Sequence, residues 1–144
     1  MLNARIEITQ GLDGEPVVLA CFDLSEEEVA ASAHAVLAAS GERFRTAAMS
    51  VDDVLELREL TALADELSDL VRGPGMRSIV MRPARLSAWR DALAFFLESR
   101  EEAEWAREDD RRALAAVRSL LWPLEDLCAE AMRAALSPPA PKTC

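Results

Sequence analysis

The chain has no tyrosine, one histidine and one lysine, and these shortages narrow its chemistry. With His34 alone, the usual zinc or non-haem iron site lacks its second imidazole. His34 also lies in an alanine-rich stretch with no carboxylate or thiol three or four residues away, so it reads as a packed or surface imidazole, not a general base. Cys21, Cys128 and Cys144 are odd in number and scattered, without the spacing of a disulfide framework or a zinc site. They are expected to be reduced thiols in a cytoplasmic protein. The longest uncharged apolar run, Val29 to Ser40, covers about twelve residues against the roughly twenty that span a bilayer. Residues 1–9 carry Arg5 and Glu7 where an export signal needs an unbroken apolar stretch. No G-x-S-x-G, G-x-x-x-x-G-K-[ST] or G-x-G-x-x-G occurs, so neither a nucleophile elbow nor a phosphate loop is expected.

One further scarcity is local. Between Arg72 and Arg90 there is no Asp or Glu, while five Arg occur: Arg72, Arg77, Arg82, Arg85 and Arg90. The whole chain carries a net charge of −10. All of it sits in residues 1–72, with fifteen acidic side chains against five Arg; residues 73–144 balance eleven acids against ten Arg and Lys142. An arginine island beside an acidic half must be neutralised internally, by a partner or by a ligand.

What is abundant is ordinary for a globular protein: 51% of the residues are hydrophobic and 29% charged. At 144 residues one core is the default. Fifteen Arg against one Lys, with many Ala, suggest coding in a GC-rich, bacterial genome.

The pattern predicts an α+β fold in the order ββααβαα, a small antiparallel sheet covered by about four helices. Ala4 to Thr9 alternates apolar and polar, Pro16 to Phe22 is a short apolar run that reads as buried on both faces, and a Gly- and Asp-containing loop joins them as a hairpin. Ser25 with Glu28 forms a capping box, with Leu24 and Val29 as its hydrophobic staple; Ser50 with Asp53, Met49 and Val54 repeats the device. The first helix is expected to stop near Ser40, with Gly41 in the left-handed C′ conformation, and the second to run to about Arg72. Leu57, Leu60, Ala64, Leu67 and Val71 make a seam on that second helix, flanked by an acidic ribbon of Asp52, Glu56, Glu59 and Glu66. Gly73-Pro74-Gly75 is a turn, Arg77 to Arg82 a third strand, and Pro83 suits the first turn of a helix apolar on two faces, hence central. From Glu98 to Arg112 the chain is almost wholly charged and marks a helix-to-helix turn. The seam from Leu114 to Ala135 keeps phase through Pro123, which predicts one continuous helix, kinked at the proline. Residues 1–136 are expected to form a single domain, and 137–144 a flexible proline-rich tail.

Glu56-x-x-Glu59 and Glu66-x-x-Asp69 resemble the paired acidic motifs of all-helical nucleotide pyrophosphohydrolases. Those enzymes hold the pairs on facing helices so that four carboxylates converge on magnesium; here both pairs fall on one helix. An acidic face is the expectation, with no metal and no cofactor. Glu108-Asp109-Asp110 with Arg111-Arg112 reads as helix-dipole and i,i+4 pairing, such as Glu108 with Arg112.

The candidate binding residues are therefore Arg77, Arg82, Arg85 and Arg90 of the island, Glu56, Glu59 and Glu66 of the ribbon, and Trp105, an indole among Glu101, Glu102, Glu104 and Glu108. No catalytic residue is expected. The leading functional expectation is a non-enzymatic bacterial interaction or regulatory protein in the cytoplasm, binding a protein partner or self-associating as a homo-oligomer. The alternative is a protein that holds an anionic phosphate or carboxylate ligand at the Arg72 to Arg90 cluster. A pI near 4.6 disfavours nucleic acid, and no membrane partner is expected.

Overall fold

The computed structural model describes residues 3–46, 50–73 and 75–136. Its elements are β1 (Asn3–Gln10), β2 (Pro16–Leu24), α1 (Glu26–Thr46), α2 (Val51–Val71), β3 (Arg77–Met81), α3 (Pro83–Arg100) and α4 (Glu108–Leu136). The α+β class and the order ββααβαα are those the sequence predicts. The proline-rich tail, Met49 of the second staple and Pro74 of the Gly-Pro-Gly turn lie outside the described residues.

β1 and β2 form the hairpin, with Ile6 opposite Ala20, and β3 pairs antiparallel on the other side of β2, with Val80 opposite Cys21. The loop closes through Gly11 N–H to the Glu15 carbonyl at 2.8 Å, with Gly14 at φ 77°, a left-handed position that suits glycine. Strand alternation puts Val18, Ala20, Phe22, Leu24, Ile79 and Met81 on one face, where all are buried. α1, α3 and α4 pack against β2 there, and α2 packs on α1 and α3. Trp89 of α3 is fully buried and stacks on Phe22 with ring centroids 5.0 Å apart. α3 contacts α1, α2, α4 and β2, and α1 likewise touches the other three helices and β2, so both helices are central.

The first capping box is reciprocal: Glu28 N–H donates to Ser25 Oγ at 3.2 Å, and Ser25 N–H donates to Glu28 Oε1 at 2.8 Å. At the second helix start Ser50 Oγ accepts from Asp53 N–H at 3.2 Å, but the Asp53 carboxylate turns to Arg43 at 2.7 Å. That pair explains one departure from the sequence reading. α1 does not end at Ser40; it runs through Gly41 to Thr46, and Gly41 is not left-handed. The extra turn carries Arg43 to Asp53 and to Glu56 at 2.8 Å, which offsets a mid-helix glycine costing roughly 1 kcal/mol.

Two smaller corrections follow from packing. The buried face of α2 is Leu60, Leu63, Ala64 and Leu67; in the last turn Leu70 still packs against the core while Val71 is 47% exposed. β2 is covered by helices on one face only; on the other, Cys21 is shielded within the sheet while Val17, Leu19 and Asp23 stay half-buried. α4 is continuous through Pro123; Leu114, Val117, Leu124, Cys128 and Ala131 of its seam are buried, Leu121 is half-buried, Ala135 is exposed, and Leu120 and Leu127 join the buried face.

Candidate functional site

The arginine island does not converge. Arg77 and Arg82 flank β3, but alternation sends Arg77 to the helix-covered side with Ile79 and Met81, and Arg82 to the open side with Ser78 and Val80. Arg77 folds back toward the turn, where a Cβ added to Gly73 would collide with its guanidinium. Arg85 lies against the acidic ribbon, 3.1 Å from Glu59 and 3.4 Å from Glu66. Glu56 belongs to Arg43 instead, and Arg90 pairs with its neighbour Asp91 at 2.9 Å. The Asp91 hydrogen bond, opposed by partial burial, raises the Arg90 pKa, so this guanidinium keeps its charge. Trp105 stands in the α3–α4 turn, 65% exposed, with the Arg100 guanidinium 5.0 Å from its ring centroid and 5.4 Å from that of Phe96.

Arg82 is different. It is exposed, makes no ion pair among the described residues, and is the N-cap residue of α3 without a capping side-chain hydrogen bond. The first turn of α3 contains no acidic residue, so the positive end of the helix and the guanidinium add on one surface. A cleft of about 570 Å³ opens there, lined by Leu19, Glu59, Val80, Met81, Arg82, Ala84 and Arg85. Beside it runs the outer edge of β3, which pairs with no other strand among the described residues. Val80 on this edge is 53% exposed. Farther along the open sheet face, Asp23 ties the strands together, accepting from Ser78 Oγ at 2.6 Å and from Asn3 Nδ2 at 3.4 Å.

Two features escaped the sequence reading. His34 Nε2 lies 2.7 Å from Asp110 Oδ1, joining α1 to the start of α4, while Asp110 Oδ2 accepts the Arg107 N–H at 3.0 Å. Burial pushes the Asp110 carboxyl up, but the hydrogen bonds from His34 and Arg107 and the charges of His34 and Arg100 outweigh it, and the net pKa is lowered. The signal was the Asp110 position three residues after Arg107, at N3 of a helix start. The second feature is a shallow groove of about 490 Å³ on the outer side of α1 and α2, bounded by Phe44, Val54, Leu57, Arg58, Thr61, Ala62 and Asp65.

Cys21 and Cys128 are the free thiols among the described residues, and both are buried. Burial raises the pKa of both Cys21 and Cys128, with the charge of Glu7 adding to the effect at Cys21. Among the described residues, no three His, Cys, Asp or Glu side chains are grouped to hold a metal ion, and no helix is long and apolar enough to cross a membrane. No model of a known protein family matches the chain, and no curated protein or solved structure is significantly similar to it.

Proposed function

We propose that the protein is a non-enzymatic interaction protein that receives an extended, acidic segment of a partner protein along the outer edge of β3, with Arg82 as its charge anchor. The observation that carries this reading is the coincidence of three features at one place: an unpaired strand edge, a cleft, and a guanidinium with no ion pair among the described residues. An exposed strand edge offers backbone N–H and C=O groups to an incoming strand, and natural proteins usually blunt such edges unless they use them. Backbone pairing supplies affinity without sequence preference; Arg82 and the α3 N-terminus supply preference for a carboxylate. The raised thiol pKa values and the pairing of Glu56, Glu59 and Glu66 with arginine support a binding role over catalysis.

Selection of random peptides displayed against the immobilised protein tests the proposal. Acidic, β-prone sequences are expected to be enriched, and Arg82→Glu to abolish their binding. No enrichment, or binders indifferent to Arg82→Glu, would refute it.

The uncapped, acid-free start of α3 also favours a second reading, in which a small phosphate or carboxylate ligand binds at Arg82. In that case inorganic phosphate or a dicarboxylate raises the melting temperature, and Arg82→Ala or Arg85→Ala removes the effect.

A further inference from the structure

The outward side of α2 is self-complementary, and we infer that two copies of the chain pair through it, antiparallel, across a two-fold axis passing between Thr61 and Ala62. Val51, Val54, Arg58, Thr61, Ala62, Asp65, Asp69 and Arg72 fall within about 100° of the helix circumference, opposite the buried Leu60, Leu63, Ala64 and Leu67. Arg58 and Asp65 are both exposed and have no ion-pair partner among the described residues. On their own helix neither has an opposite charge within one turn: Arg58 has Val54, Leu55, Thr61 and Ala62 at those positions, and Asp65 has Thr61, Ala62, Ser68 and Asp69. They are two turns apart, about 10 Å along the axis, too far to meet each other.

An antiparallel second α2 solves both vacancies together. With the axis between residues 61 and 62, Arg58 faces Asp65 of the second copy and Asp65 faces Arg58 of the second copy, the reciprocal contact that a two-fold interface requires. The small Thr61 and Ala62 at the centre let the helices approach closely. The same axis sets Val51 opposite Arg72 of the second copy, whose aliphatic stem can lie along the apolar end formed by Phe44, Val51, Val54 and Leu55. These four side chains are 76%, 76%, 41% and 53% exposed in the single chain. A parallel arrangement would set Arg58 against Arg58 and Asp65 against Asp65, so the charges select the antiparallel one. The groove beside Phe44, Val54 and Leu57 receives the edge of the second helix.

This inference uses a different surface from the β3 edge, so the two proposals fail separately. Sedimentation or light scattering across a range of protein concentrations is the test. The wild-type chain is expected to be dimeric, and Arg58→Asp and Asp65→Arg each to weaken dimerisation by about a hundredfold or more. The double variant Arg58→Asp, Asp65→Arg restores the dimer. An equimolar mixture of the two single variants does so as well, because all its cross-contacts are then between opposite charges. Far-UV circular dichroism confirms that each variant is folded. A monomeric wild type, single variants that remain dimeric, or folded single variants that fail to pair on mixing would each overturn the inference.

Discussion

His34 and Asp110 are 76 residues apart in sequence and 2.7 Å apart in space. In sequence the carboxylate reads as one of three acids at a helix start, serving the dipole; in the fold only Asp110 of the three is buried, and its two oxygens serve an imidazole and a backbone N–H. Because its folded pKa lies below the unfolded value of about 3.9, its contribution is complete above that value and is lost as pH falls through the folded pKa. Asp110→Ala is expected to cost roughly 1–3 kcal/mol at neutral pH, since it removes the charged acceptor of two hydrogen bonds, from the half-buried His34 ring and the Arg107 N–H. The gap between wild type and variant in urea unfolding should narrow steadily below about pH 4. An unchanged gap at acid pH would mean that the carboxylate charge does not matter. The arginines show the same limit of residue-level reading. Alternation could place Arg77 and Arg82 on opposite sides of β3, but no local pattern told that Glu59 and Glu66 would take Arg85 while Glu56 went to Arg43.

At the scale of elements, local chemistry was legible where it was reciprocal or periodic. The Ser25–Glu28 box, the antiparallel hairpin, the strand after Gly73 and the continuity of α4 through Pro123 all follow from short-range pattern, and each is present in the fold. Gly41 was misread because its meaning is set from outside the helix: Asp53 and Glu56 of α2 hold Arg43, and the helix continues to reach them. A Cβ at Gly41 would meet nothing within 4 Å, and its backbone is not left-handed. Gly41→Ala is therefore expected to stabilise the protein by about 0.5–1 kcal/mol, seen as a higher urea midpoint with an unchanged slope. A loss of stability would instead show that α1 ends at this glycine.

For the molecule as a whole, the −10 charge separates into parts with different fates. Much of the acidic ribbon is taken up internally, by Arg43 and Arg85, and within the island Arg85 and Arg90 are paired. Of the three island arginines without an ion pair among the described residues, Arg82 lies on the open side of a three-stranded sheet whose helices cover the opposite face. That asymmetry was half legible: strand order and helix number could be read from pattern, but which sheet face would stay open depends on long-range packing of α3 and α4 on β2. This open edge is where we propose that a partner strand docks. Hydrogen–deuterium exchange of the full chain, with and without an acidic peptide selected on it, tests the claim most directly. New protection of the backbone amides of residues 77–81 is expected, lost in Arg82→Glu. Binding that leaves those amides as exchangeable as before, with protection elsewhere, would contradict it.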